Sequence, residues 1–372
     1  HASILSLFAK IHLYVFFNPD SIAIVGVSLE KEKLGNQILK NILEAGYRGK
    51  VFPVNNKATL TSRVRGLKVY PNLKEIPEKI DLCLIVVPPN FVLGIIDDCA
   101  DKKINSVIVI TAGFKETGPE GARLEEELVK RAKEKGIRIL GPNVLGIIDT
   151  HHHLNASFAP TYPPAGNIAF ISQSGALWSG IVEWSLDKFG FSKFVSVGNM
   201  MDVDFADLIN YLNKDKLTKV IVCYIEYLKD GRRFMDAVKK SKKPVIVIKA
   251  GSSEKGVKAA LSHTGAIAGE YEIYKAAFKQ CGAILVESLT DAFNKASYLC
   301  NQKLGKKVVI ISNAGGPAVL LADYCSEYNL DVVDLPKRFI YSLNSFLPEN
   351  KVQSPFWLPL ARPNQHQNSK LN

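Results

Sequence analysis

The 372 residues hold six cysteines, at positions 83, 99, 223, 281, 300 and 325, and no two stand as a CxxC pair. That spacing removes a disulfide framework. Cys83 and Cys223 lie inside apolar, strand-like runs, so the thiols are expected to be reduced core residues of a cytoplasmic protein. An arginine-rich stripe interleaved with aromatics is also missing. The net charge of +11 comes from scattered lysines, many on surface helices such as Glu125 to Lys135, and no nucleic-acid binding is expected. No apolar run is long enough for a membrane span. The longest near the start, Ala2 to Phe17, is broken by Lys10 and His12 and has no small-residue cleavage site, so no membrane association is expected. Metal-ligand spacing is lacking as well. His151, His152 and His153 are consecutive and point in different directions on most backbones, with no Cys, Asp or second His cluster at ligand spacing, so no metal site is assigned. Asp202 and Asp204 could hold Mg²⁺, but capping a helix start is the better reading.

What is present is ordinary globular composition, 47% hydrophobic and 22% charged, with length for two or three domains. A β-rich run repeatedly leads into a glycine-containing turn and a helix. Ser21 to Val25 precedes Gly26 and a helix from Leu34 to Ala45. Val51 to Val54, Leu82 to Val87, Ser106 to Thr111 and Arg138 to Leu140 read as further strands, with an amphipathic helix over Glu120 to Lys135. Strands alternating with helices at this spacing predict a parallel sheet covered on both faces. The first domain is placed at 17–148. Pro160 to Pro164 reads as a linker, and a second domain at 165–285 has strands at Asn167 to Ser172, Phe194 to Val197, Val220 to Ile225 and Val245 to Lys249. A third α/β unit at 300–348 is too short for an independent core. Residues 1–16 and 349–372 are expected to be non-native or disordered. The chain begins with His1, and Val352 to Asn372 has no apolar period, so extra upstream translation and a frameshifted or truncated product would account for both ends.

The candidate chemistry lies in the turns. Gly26 ends a strand beside a helix start, in the crevice where α/β sheets bind nucleotides. The pattern is G-x-S with Ser28, not G-x-G-x-x-G, and the second strand ends in Asn55-Asn56-Lys57 where an acidic ribose partner would stand. NAD is therefore disfavoured, and Lys57 suits a nucleotide with an additional phosphate; an unoccupied turn is the plainer alternative. A mildly basic surface also suits a polyanion such as a nucleotide or coenzyme A. Ile110-Thr111-Ala112-Gly113 and Gly141-Pro142-Asn143 follow strands of the same sheet and should open on the same edge. Ser172-Gln173-Ser174-Gly175 follows a strand and opens a helix, which makes either an anion site or simple capping. Glu226 closes an apolar strand, placed to bond one imidazole nitrogen or to face solvent. His263, in Ser262-His263-Thr264-Gly265-Ala266, sits at a turn after a helical run. A neutral imidazole there is a competent nucleophile toward phosphorus, although an isolated loop histidine is more often structural.

Taken in order and spacing, Val25-Gly26-Val27-Ser28, Gly141-Pro142-Asn143, Ile171 to Leu177, Tyr224-Ile225-Glu226 and Ser262 to Ala266 resemble the α subunit of ADP-forming acetyl-CoA synthetases, relatives of the succinyl-CoA synthetase α subunit. The likeness runs from Phe17 to Leu347. It implies a Rossmann-like CoA-binding domain followed by a flavodoxin-like succinyl-CoA-ligase domain and a truncated third α/β domain. It implies interconversion of acyl-CoA, ADP and phosphate with acid, CoA and ATP, through an acyl phosphate and a phosphohistidine. By the same resemblance CoA lies against Gly26, Ser28, Lys57, Ile110, Thr111, Ala112 and Asn143. Ser172, Gln173, Ser174 and Gly175 hold phosphate, His263 takes up the phosphoryl group, and Glu226 steadies it. No segment resembles an ATP-grasp domain, so ADP/ATP and Mg²⁺ are expected on a separate ATP-grasp β subunit, in a hetero-oligomer. Val144 stands where family members often carry Cys, and the third domain is shorter than theirs. The acid is expected to be small: acetate, or a short branched or aromatic acid. Two competing readings remain at this stage. One is a non-catalytic CoA-binding remnant of the same family; the other, an NAD-dependent oxidoreductase, suits the fold but not Lys57.

Overall fold

The computed structural model describes residues 13–252, 271–301, 305–312 and 314–346. The chain divides into two compact units, 1–301 and 302–372. In the larger unit, β1 (Ser21–Val25), β2 (Lys50–Val54), β5 (Leu82–Ile85), β6 (Ser106–Val109) and β7 (Arg138–Leu140) form one parallel sheet in the order β2-β1-β5-β6-β7. A small antiparallel pair, β3 (Arg63–Val64) and β4 (Leu67–Lys68), lies between β2 and β5 in sequence. The inner strands β1, β5 and β6 are short, mostly apolar runs buried on both faces as a parallel sheet requires, while Lys50 on the edge strand β2 is exposed. Helices α1 (Leu34–Glu44), α2 (Pro89–Asp101) and α3 (Pro119–Glu134) follow β1, β5 and β6. Both α2 and α3 carry proline in their first turn, where the missing N–H costs nothing.

The strand order reverses between β1 and β5, which opens a crevice at their carboxyl ends. Gly26 makes the turn there with φ +106°, and a β-carbon on it would stand 2.2 Å from the Val86 carbonyl oxygen. No side chain fits that approach.

The second sheet has seven strands: β8 (Gly146–Asp149), β9 (Leu154–Ser157), β10 (Ala165–Ser172), β11 (Phe191–Ser196), β12 (Val220–Ile225), β13 (Val245–Lys249) and β14 (Ile284–Val286). Its parallel part runs β11-β10-β12-β13-β14, which is the flavodoxin-like order. Helices α4 (Leu177–Ser185), α5 (Phe205–Leu212), α6 (Gly231–Lys240), α7 (Tyr271–Cys281) and α8 (Leu289–Asn301) accompany it. One face is packed by Trp178 stacked on Phe194 at 4.0 Å between ring centres, with Phe170, Phe191 and Phe293 around them.

The hairpin β8–β9 is antiparallel and pairs with β11, at the edge of this second sheet. The sequence reading gives Ile148 to the first unit and takes Pro160 to Pro164 as the linker. The structure instead changes sheets at Gly141 to Leu145, and the proline-rich segment joins β9 to β10 within the second sheet. The physical reason is burial on both faces: Ile147 and Ile148 are each fully buried, in two different cores.

The smaller unit contains β15 (Lys307–Val308) paired in parallel with β16 (Asp331–Val332), and helices α9 (Gly315–Glu327) and α10 (Lys337–Phe346). Its core is small, built on Ile310, Ala318 and Cys325, while Val319, Leu320, Tyr324, Tyr328 and Tyr341 are exposed.

No helix among the described residues is long and apolar enough to cross a membrane, and none of their His, Cys, Asp and Glu side chains gather into a metal-holding group.

Candidate functional site

The carboxyl ends of both sheets meet at a cavity of about 670 Å³. From the first sheet it is lined by Val86 to Pro89 after β5, Ile110 to Ala112 after β6, and Asn143 to Leu145 after β7. From the second it is lined by Gln173 to Ala176 after β10. The loops of the first sheet are laced together. The Thr111 hydroxyl donates to the Val87 carbonyl at 2.7 Å, and the Asn143 N–H donates to the Thr111 carbonyl at 2.9 Å. Asn143 takes a left-handed backbone, φ 61°, and remains exposed.

The two sheets touch closely here. A β-carbon on Gly175 would lie 3.0 Å from the Leu145 β-carbon, and the Leu145 N–H donates to the Ser196 hydroxyl at 3.0 Å. Among the sequence-derived positions, Ile110, Thr111, Ala112, Asn143, Gln173, Ser174 and Gly175 therefore line one cavity. Gly26, Ser28 and Lys57 lie on the same carboxyl edge of the first sheet but outside that lining. The Ser28 hydroxyl accepts the Glu30 N–H at 3.1 Å, and the Lys57 N–H donates to the Asn55 side chain at 2.9 Å; the Lys57 side chain is exposed. Ser172 is fully buried behind the cavity wall. Its hydroxyl donates to the Ser174 carbonyl at 2.7 Å and accepts the Ser174 N–H at 3.1 Å, so it shapes the turn. Helix α4 then starts at Leu177 with no side-chain cap, which leaves its positive end open to an anion. His263 lies outside the described residues.

Gln173 and Glu226 flank the switch point of the second sheet, between β10 and β12. The Gln173 side-chain oxygen accepts the backbone N–H groups of Glu226 at 2.6 Å and Tyr227 at 3.0 Å. Its amide nitrogen is buried and has no hydrogen-bond partner among the described residues. Glu226 is itself buried. Lys249, closing β13 one register position away, is buried with it, and its ammonium lies 4.6 Å from the Tyr274 ring centre. Burial pushes the Lys249 ammonium below the usual lysine range, and the Glu226 charge opposes that shift.

A second polar group stands behind the loops. Glu116 accepts the Gly113 and Phe114 N–H groups at 2.6 and 3.1 Å. The buried Asn199 amide donates to Glu116 and Glu125, both at 2.7 Å. Lys115 and the Tyr227 hydroxyl each donate to the Asn199 carbonyl at 2.9 Å. Burial pushes the Lys115 ammonium down and the Glu125 carboxyl and Tyr227 phenol up. Lys115, Glu116, Asn199, Tyr227 and Lys249 belong to no motif singled out in the sequence. For Lys249 a signal existed, a single charge closing the apolar run Val245-Ile246-Val247-Ile248. The histidines at 151 and 152 are structural: His151 bonds the Gly166 carbonyl at 2.8 Å and His152 bonds Asp149 at 2.9 Å. Asp204 caps α5, accepting the Asp207 N–H at 3.0 Å.

The strand orders define a Rossmann-like sheet joined to a flavodoxin-like one. Residues 20–150 match the family described as CoA binding domain, and residues 165–299 match the succinyl-CoA ligase like flavodoxin domain. The chain is 48% identical to the α subunit of acetate–CoA ligase [ADP-forming] II of Pyrococcus furiosus, covering 90% of this chain and 73% of that one. It is 43% identical to the α subunit of isoenzyme I from the same organism, over 92% and 76%. A solved structure from Ca. Korarchaeum cryptofilum, described as dinucleotide forming acetyl-coenzyme A synthetase 1 in complex with phosphate and ADP, superposes with a TM-score of 0.83 at 41% identity, covering 93% of this chain and 75% of that one. The chain belongs to the family of ADP-forming acetate–CoA ligase α subunits.

Proposed function

We infer that this chain is the α subunit of an acyl-CoA synthetase of the NDP-forming type, with acetate as its acid. The observation that carries this is the shared cavity, in which the Ile110 to Ala112 and Asn143 loops face Gln173 to Gly175. CoA occupies the first-sheet loops, with Gly26, Ser28 and Lys57 along the same edge and the thioester in the cavity. A phosphate oxygen attacks the thioester carbonyl carbon, the C–S bond breaks, and CoA leaves as the thiol. The acyl phosphate formed then meets the His263 imidazole. Its nitrogen attacks phosphorus, the P–O bond to the acyl group breaks, and the free carboxylate departs. Gln173, Ser174, Gly175 and the open end of α4 hold the phosphoryl oxygens, with Ser172 shaping the turn beneath them. Glu226 accepts from one imidazole nitrogen and leaves the other to attack. An ATP-grasp β subunit supplies the site for ADP and Mg²⁺, where the P–N bond is exchanged for the bond to ADP. The two larger sheets, joined at Gly141 to Leu145, carry this work. The catalytic reading stands above that of a CoA-binding remnant because the ligase relatives match across both larger domains.

The test is to incubate the chain with acetyl-CoA, a panel of other acyl-CoAs and ³²P-phosphate, beside a His263→Ala control. An acid-labile, base-stable label on the wild type alone is expected. A folded wild type that stays blank with and without an ATP-grasp partner would overturn the reading.

A further inference from the structure

Asn199 is the meeting point of four loops. Its N–H donates to the Pro142 carbonyl at 3.0 Å, which ties it to the loop after β7. Its amide reaches Glu116, which holds the Gly113 and Phe114 N–H groups of the loop after β6. Its carbonyl accepts from the Tyr227 hydroxyl, and the Tyr227 N–H is one of the two that Gln173 holds. Lys115 donates to the same carbonyl and also bonds the Tyr227 hydroxyl, with its ammonium 4.8 Å from the tyrosine ring centre. Two of these loops belong to the first sheet and two to the second.

The connection has no slack. Gly198 lies against the loop after β7, and a β-carbon there would stand 2.2 Å from the Pro142 oxygen and 2.4 Å from the Asn143 oxygen. Asn199 is buried, so its bonds compete little with water and are costly to break. A shift of either first-sheet loop must therefore be passed on or leave a buried polar group unpaired.

We propose that Asn199, tied to Lys115, Glu116 and Tyr227, is a positioning residue that couples occupancy of the first-sheet loops to the placement of Gln173 and Glu226. Resting on the reading above, this gives the cavity a signal by which CoA bound on one sheet orders the phosphoryl-handling residues of the other. None of the four need touch CoA or phosphate. The coupling runs through a bonded network with a defined route, and coupling of this kind requires direct measurement.

The experiment is hydrogen exchange of the full chain with and without CoA, on wild type, Tyr227→Phe and Lys115→Met. Tyr227→Phe removes one hydroxyl and keeps the ring; Lys115→Met removes the other donor to the Asn199 carbonyl. In the wild type, CoA is expected to slow exchange at Gly113 and Phe114 and also at Glu226 and Tyr227. In each variant the first pair should still respond, while the response of the second falls by about fivefold or more. A purely structural role would lower the melting temperature and leave the two responses in the wild-type ratio, which would overturn the proposal. Protection confined to Gly113 and Phe114 in the wild type would overturn it too. If CoA slows neither pair in the wild type, the CoA-site reading itself fails, and the coupling fails with it.

Discussion

One side-chain oxygen of Gln173 holds the backbone N–H groups of both Glu226 and Tyr227, at 2.6 and 3.0 Å, linking the carboxyl ends of the paired strands β10 and β12. The placement of the glutamate thus depends on an amide at the end of the neighbouring strand, and the Gln173 nitrogen is buried without a partner among the described residues. Gln173→Glu keeps the acceptor and replaces that donor with a negative charge. A carboxylate buried there beside Glu226 should cost about 1–3 kcal/mol or more in urea unfolding, and phosphate-dependent labelling of His263 should fall about tenfold or more. Gln173→Leu strands both N–H groups and should cost about 1–3 kcal/mol in urea unfolding as well.

Gly26→Ala tests the crevice between β1 and β5. The backbone conformation alone should cost about 1–3 kcal/mol, and the added carbon must also push the Val86 carbonyl away. The expected outcome is a lower melting temperature together with weakened CoA binding by calorimetry. Unchanged CoA affinity would separate this turn from the CoA site.

Glu116 and Glu125 are shifted in opposite directions. Burial pushes the Glu116 carboxyl up, but the Asn199 amide and the Gly113 and Phe114 N–H groups outweigh it and hold it below its usual 4.5. A lowered folded value gives stability that is present above pH 4.5 and is lost as pH falls through the folded value. Glu116→Gln should therefore melt below wild type at neutral pH, with the gap closing in acid. Glu125 is held above 4.5 by burial, against the pull of Asn199 and Lys115. Its ionisation weakens the fold as pH rises through the raised value, so Glu125→Gln should gain on wild type over that range. Melting temperatures at a series of pH values check both.

Arg138 on β7 bonds Asp202 at 2.8 Å and Asp207 at 3.1 Å, and Arg233 on α6 bonds Asp204 at 2.8 Å and also Asp207. Burial raises the Asp207 carboxyl despite both guanidinium groups. Arg138→Met should cost about 2–3 kcal/mol in chemical unfolding, below the ~3–5 of a fully buried pair because Asp202 is partly open.

The parallel sheets were legible because their strands are short, doubly buried apolar runs that stop at glycine or at a charge, as Ser21 to Val25 stops at Gly26. The turn Ser172 to Gly175 was legible because serine and glycine cluster between a strand and a helix. The hairpin at Gly146 to Ser157 was not, because a run such as Gly146-Ile147-Ile148-Asp149 is apolar in either sheet, and strand pairing is decided by distant partners. Asn199, Lys115 and Tyr227 were invisible for a related reason. Each is a common surface residue type, and what sets it apart is burial against groups far away in sequence.

The hairpin β8–β9 leaves the loop that carries Asn143 and at once becomes the edge of the other sheet. The natural splice for exchanging CoA-binding halves between related enzymes is therefore at Gly141 to Leu145, not in the proline-rich stretch. A graft cut at Pro160 would carry away two strands from its neighbour and strip β11 of its cover. One cut at Leu145 would transfer a whole sheet, and the recipient would keep its own margin on the second sheet.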